Sequence, residues 1–231
     1  DGSWILFEQN MPQTTLNRLH IRESYKTIAS SILEGNGSHK AIITGTPGIG
    51  KSLFLFYLLW KLVNDGKRIL FIYHPFNIYY DEEGSVFEFA SSSLPSTIDY
   101  SFWNESLWCL FDAKFKKEGD LAGLRVGLST IILSTSPRRE MVNDFKKPPV
   151  PQVFYMPTWT KAELEAIETL FPEANNEWRD RFMILGGIPR YVVEVTTQTP
   201  IKIIEEACRS YSLDDIIAEK SVFPLVHITS I

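Results

Sequence analysis

The residues with the clearest chemical purpose are Gly45-Thr46-Pro47-Gly48-Ile49-Gly50-Lys51-Ser52, which fit the spacing G-x-x-x-x-G-K-[ST]. A loop rich in glycine can turn successive backbone N–H groups inward around phosphate oxygens. Lys51 is then placed to bridge the terminal phosphates of a nucleotide, and the Ser52 hydroxyl to ligate Mg²⁺. The apolar run from Leu53 to Val63 reads as a buried helix whose positive end stands behind those phosphates. The expected nucleotide-contacting set is therefore Gly45, Thr46, Pro47, Gly48, Ile49, Gly50, Lys51, Ser52 and Leu53.

A second motif follows at Leu107-Trp108-Cys109-Leu110-Phe111-Asp112, an apolar run closed by one acid. A carboxylate leaving the C-terminal end of a buried strand can hold a water on Mg²⁺ from the side opposite Ser52. Ala113 stands where many ATPases with an additional strand between the two motifs carry a Glu to polarise the attacking water. The base then has to come from elsewhere, with Glu82, Glu83 and Glu105 as candidates, or turnover is slow, or the nucleotide acts as a switch. Ser134 and Ser136 arrive where the strand Thr130–Ser136 should end, in a position to report on the terminal phosphate. Arg190 lies in the first turn of a helix after Gly186-Gly187-Ile188-Pro189, facing the nucleotide from a helical lid. Arg138 and Arg139 are candidates for an arginine finger toward a neighbouring subunit. Upstream, Arg22, Tyr25 and Lys26 are candidates for the adenine side, and Tyr25 is assigned to the nucleotide.

These groups need a scaffold that brings strand ends together. Lys40–Ile43, Arg68–Tyr73, Leu107–Asp112, Thr130–Ser136 and Gln152–Met156 read as five strands, near-continuously apolar as in a parallel sheet covered on both faces. The expected fold is α/β: a five-stranded, mostly parallel sheet with helices on both faces, then a small helical lid. Tyr79–Phe87 reads as a hairpin around an acidic turn, within an inserted surface module at about residues 74–105. Thr160-Lys161-Ala162-Glu163 has the form of a capping box, with Trp159 and Leu164 as a hydrophobic staple, so a helix begins at Lys161 and stops before Pro172. Helices are expected at about 177–185, 189–195, 200–208 and 213–220. The expected division is an N-terminal extension over residues 1–19, a nucleotide-binding core over 20–157, a helical subdomain over 158–221 and the start of a linker over 222–231.

The formal charge of -5 provides no global drive toward nucleic acid; DNA contact is left to a local basic surface of Lys114, Lys116, Lys117, Arg138, Arg139 and Lys146. Cys109 and Cys208 fall in apolar runs and make neither a disulfide framework nor a metal cluster. The four histidines have no ligand spacing for zinc. The run from Leu53 to Val63 is too short to span a bilayer and contains Lys61, so no membrane role is expected.

The strand pattern and helical tail look like a P-loop NTPase of the AAA-like, additional-strand branch. More narrowly, GTPGIGKSLFLFYLLWKL, SLWCLFD, STSP, YMPTWTKAEL and GGIPRYVV together resemble the ATPase domain shared by Crinkler effectors of oomycetes and fungi and the retrotransposon hot spot proteins of trypanosomes. The resemblance covers roughly residues 20–225. It implies ATP and Mg²⁺ as ligands, Lys51 and Ser52 on phosphate and metal, Asp112 as the second-motif acid, Ser134 or Ser136 as a first sensor and Arg190 as a second. It also implies a secreted, host-directed multidomain protein that reaches the host nucleus, with an effector domain following the ATPase. The alternative is a non-catalytic, nucleotide-gated module for protein interaction or self-association. A small-molecule kinase would need an acceptor pocket with a positioned base, and nothing outside the phosphate loop recommends one.

Overall fold

The computed structural model describes residues 3–35, 39–89, 94–114, 124, 127–136, 145–174, 177–194 and 198–210. The apolar runs form strands where the sequence places them: β3 (Lys40–Thr44), β4 (Arg68–Tyr73), β7 (Leu107–Asp112), β8 (Thr130–Ser134) and β9 (Gln152–Tyr155). They pair in parallel in the order β4-β7-β8-β3-β9, so β8 is an additional strand between β3, which leads into the glycine-rich segment, and the Asp112 strand. Alternate residues feed two cores, as a pleated sheet requires. Ala41, Ile43, Ile69, Phe71, Leu110 and Ile132 join the cluster beneath helices α1 (Glu23–Leu33) and α2 (Lys51–Asn64). Ile42, Leu70, Ile72, Cys109, Phe111, Ile131 and Leu133 join the opposite one, with Trp103, Leu124 and Phe145.

The sheet is larger and less parallel than expected. Among the described residues it has seven strands, because β5 (Phe76–Tyr80) pairs antiparallel with β4 and β6 (Val86–Phe89) pairs antiparallel with β5. The segment anticipated as a surface module thus continues the central sheet. The physical reason is the edge of β4, whose backbone N–H and C=O groups need partners, and the hairpin supplies them. Its turn is closed by Asp81, whose Oδ1 accepts from the Glu83 and Ser85 amides, and Tyr79 packs on Phe102 with ring centroids 5.1 Å apart. The result is an α/β fold with a mixed sheet and flanking helices.

The N-terminal residues also depart from a simple extension. β1 (Trp4–Leu6) and β2 (Arg18–His20) form a two-stranded antiparallel sheet, and Ile5, Met11 and Leu19 are buried in the core under α1 and α2. α1 buries Tyr25, Ile28, Ala29 and Ile32, one face at helical spacing. Beyond β9 come α3 (Lys161–Ile167), two short 3₁₀ turns at Glu168–Leu170 and Pro172–Ala174, α4 (Glu177–Leu185), α5 (Pro189–Val192) and α6 (Pro200–Ser210). The Thr160–Glu163 capping box is made in full: the Thr160 side chain accepts from the Glu163 amide, and the Glu163 side chain accepts from the Thr160 amide. The helix expected at 213–220 and the start of a linker at 222–231 lie outside the described residues. Among the described residues, no helix is long and apolar enough to cross a membrane.

Candidate functional site

β3 ends at Thr44 and α2 begins at Lys51, so the glycine-rich segment between them has to reverse within six residues. Gly48 and Gly50 make that possible, with φ of +83° and +101°. Both also sit under close neighbours: a Cβ on Gly48 would lie 2.5 Å from the Cβ of Arg190, and one on Gly50 would lie 2.6 Å from the Tyr25 Oη. Below the loop, the Tyr25 hydroxyl donates to the Gly50 carbonyl at 2.8 Å, and the Trp159 indole N–H donates to the Ile49 carbonyl at 2.9 Å.

Trp159 ties three segments to this loop. Its amide donates to the Gly187 carbonyl at 2.8 Å, and the Arg22 guanidinium lies 4.5 Å from its ring. Arg22 is itself buried, donating through Nε to Glu163 at 2.9 Å and through Nη2 to the carbonyls of Pro157 and Thr158. Burial pushes the Glu163 carboxyl up, but hydrogen bonds from Arg22 and Thr160 outweigh it and hold the group below its usual value.

The strand ends open onto a cavity of about 860 Å³. It brings together Lys51, Ser52, Asp112, Ser134, Ser136 and Arg190, with Pro47, Gly48, Gly50 and Leu53 from the loop and its helix. Gly45, Thr46 and Ile49 shape the loop without forming that wall. Lys51 is turned back on the loop, donating to the carbonyls of Gly45 at 2.7 Å and Thr46 at 3.0 Å. Burial pulls the Lys51 ammonium down to about 8, against the attraction of Asp112, with Arg190 adding to the fall. Asp112 and Ser134 are register partners across β7 and β8, and Ser134 pairs in turn with Ile43 of β3. Asp112 Oδ1 accepts from the Lys114 amide at 2.9 Å. Its Oδ2 is buried and has no hydrogen-bond partner among the described residues. Among those residues, no cluster of three or more His, Cys, Asp or Glu is placed to hold a metal ion.

Tyr25, a candidate for the adenine side, does not line the cavity: it is fully buried and supports the loop from beneath. Arg22 is committed to Glu163, and Lys26 makes an ion pair with Glu23. Instead the cavity wall comes from the N-terminal hairpin, through Gln13, Leu16, Arg18 and His20, from Ile167 at the end of α3, and from Leu170 and Phe171 beyond it. Sequence reading missed this contribution, because only the apolar residues Ile5, Met11 and Leu19 signalled that a largely polar stretch was anchored. Glu82, Glu83 and Glu105 do not line the cavity; the carboxylates that do are Asp112 and Glu194. Of the candidate basic surface, Lys114 lines the cavity, while Lys116, Lys117, Arg138 and Arg139 lie outside the described residues.

Two curated proteins of Phytophthora infestans match almost the whole chain. Crinkler effector protein 15 is 39% identical over 226 residues, covering 96% of this chain. Crinkler effector protein 16 is 39% identical over 225 residues, again covering 96% of this chain. The chain is homologous to Crinkler effectors. It spans 36% of the length of each of these Crinkler proteins. No protein-family model matches it. Among solved structures, the Holliday junction branch migration motor RuvB of Thermotoga maritima aligns with 87% of this chain and 69% of its own, at 11% identity and a TM-score of 0.37.

Proposed function

We propose that this chain is the Mg²⁺-dependent nucleoside-triphosphatase module of a Crinkler-like effector, coupling ATP binding and hydrolysis to an effector domain or to DNA. The observation that carries the reading is the convergence on one cavity of Lys51, Ser52, Asp112, Ser134 and Arg190, drawn from four separate stretches of sequence. Lys51 exchanges the Gly45 and Thr46 carbonyls for phosphate oxygens, and the N–H groups near Gly48 and Gly50 close around the same anion. Arg190, already against Gly48, supplies a second cation at the terminal phosphate. Ser134 or Ser136 offers a hydroxyl that distinguishes a triphosphate from a diphosphate. The nucleobase takes the apolar end of the cavity, between Leu16 and the side chains of Ile167, Leu170 and Phe171.

The residues fit a hard divalent cation. Ser52 lines the cavity, and the Oδ2 of Asp112, without a hydrogen-bond partner among the described residues, offers a second oxygen. Bound Mg²⁺ would neutralise charge on the β- and γ-phosphates. Residues 158–221 serve as the lid in this reading, the core spans 20–157, and residues 1–19 contribute a wall of the site. Secretion, host-nuclear location, DNA contact and self-association rest on homology and on the residues named from the sequence. They are parts of the proposal.

The test is binding of Mg-ATP and release of phosphate by the purified chain, beside Lys51→Ala and Asp112→Asn. Both variants are expected to lose turnover by about 100-fold or more, and Lys51→Ala to lose affinity as well. Failure of the parent chain to bind nucleotide would sink the assignment. Ala113 favours one rival, a nucleotide-gated interaction module. Binding that needs Lys51, without turnover by the parent, would select it.

The lowered Lys51 value gives this reading a pH signature. Phosphate favours the ammonium form and raises its pKa in the complex, so binding takes up a proton wherever the free protein has lost one. Affinity is expected to fall as pH rises above about 8, steepening toward tenfold per pH unit. Lys51→Arg cannot deprotonate there and is expected to show a flat profile between pH 7 and 9.5, read by titration calorimetry. A parent profile as flat as that of the variant would contradict this role.

A further inference from the structure

With Ala113 in place of an acid and Glu82, Glu83 and Glu105 away from the cavity, the carboxylates that line it are Asp112, given above to Mg²⁺, and Glu194, beyond α5; at the β7 end the attacking water needs another partner. We infer that Gln13, on the loop between β1 and β2, orients that water through its carboxamide. This rests on the nucleotide reading above and adds a catalytic residue to it.

Gln13 lines the same cavity as Asp112, Ala113 and Lys114. Its carboxamide is held at both ends by groups that follow the strands β4 and β7: Nε2 donates to the His74 carbonyl, and Oε1 accepts from the Lys114 ammonium at 3.1 Å. A carbonyl at one end and an ammonium at the other fix which end is oxygen and which is nitrogen. Each end keeps unused capacity, a second lone pair on Oε1 and a second N–H on Nε2. Those are the two functions needed to accept a hydrogen bond from a water and donate one to a phosphate oxygen.

The loop is anchored to the same strand ends. The Tyr73 hydroxyl, at the end of β4, donates to the Pro12 carbonyl at 3.2 Å. Burial, and then the charge of Asp112, pushes that hydroxyl up to about 12, so it remains a donor at neutral pH. Met11 is buried, and its amide donates to the Leu16 carbonyl at 2.8 Å. Gln13 itself has φ of +60°, the left-handed region that a residue with a Cβ occupies at a cost. A glycine would adopt the same backbone without strain.

The step balances without a protein base. The water oxygen, oriented by Gln13, forms a bond to the γ-phosphorus as the bond from that phosphorus to the bridging oxygen breaks. The electron pair leaves on the β-phosphate of ADP. One water proton stays on the new P–O–H group, and the other passes to a γ-phosphate oxygen. ATP⁴⁻ and water thus give ADP³⁻ and H₂PO₄⁻, which loses a proton to solvent afterwards.

The experiment compares Mg-ATP turnover and ATP affinity in the parent, Gln13→Ala and Gln13→Gly. Both variants are expected to lose kcat by about 10- to 100-fold, with affinity within about threefold of the parent. Gln13→Gly also removes the backbone strain, so its Tm should equal or exceed that of the parent while its turnover stays low, an outcome that a purely structural role would not produce. Turnover within twofold of the parent in either variant would overturn the assignment. So would a parent that binds Mg-ATP and never releases phosphate. A parent that binds no nucleotide would instead overturn the function on which the assignment rests.

Discussion

Gly187→Ala is expected to destabilise the protein by about 3 kcal/mol or more, read as a fall in the midpoint of urea unfolding. A Cβ at that position would lie 1.8 Å from the Trp159 carbonyl oxygen and 2.8 Å from its amide nitrogen. Both are backbone atoms, and the Trp159 amide is held by the Gly187 carbonyl, so neither side can move without breaking the bridge. The Gly186-Gly187 turn then separates from Trp159, and Arg190 loses its seat over Gly48. Gly186→Ala makes a useful control, because no atom lies within 4 Å of the added carbon and only its φ of +70° opposes the change. That variant is expected to lose about 1 kcal/mol. Equal losses in the two would remove the steric argument.

The second large effect is expected at Arg22→Met. Arg22 is 1% exposed and Glu163 19%, so removing the guanidinium leaves a mostly buried carboxylate without its charged partner and strips a donor from Pro157 and Thr158. Breaking such a pair costs about 3–5 kcal/mol, and the lower end applies because Thr160 still donates to Glu163. A pH signature accompanies it. The folded-state carboxyl of Glu163 lies below its ordinary value of 4.5, so the stability it contributes is present above that value and lost as pH falls through the folded one. In Arg22→Met burial is no longer outweighed to the same extent, and this acid-side loss should shrink and move to higher pH. Unchanged unfolding curves at pH 7 would show that the pair contributes nothing.

What was legible in the chain was local. The glycine-rich turn and the Thr160–Glu163 capping box each lie within eight consecutive residues, and the parallel strands announce themselves by unbroken apolar runs. The wall of the cavity was not legible, because it is assembled from distant pairs: Gln13 with His74, 61 residues apart, Trp159 with Ile49, 110 apart, and Arg22 with Glu163, 141 apart. Tyr25 shows the limit well. An aromatic residue upstream of such a loop has the right chemistry for a base, and only the packed core shows that its hydroxyl is committed to Gly50. A hairpin is legible at Tyr79–Phe87, the central part of the observed Phe76–Phe89, yet its pairing with β4 depends on an edge that the local sequence does not display.

The position of β3 has a consequence for synthesis on the ribosome. The strand that carries the glycine loop pairs with residues that emerge about a hundred positions later: Lys40 with Ile131, and Ala41 with Gln152. Closing such long loops precedes any gain from the pairing. A nascent chain that already displays Lys51 therefore still lacks both neighbours of its central strand, and the cavity between Gln13 and Arg190 closes only after nearly the whole described length has been made. A nascent chain is thereby kept from completing this cavity until the residues through Arg190 have emerged.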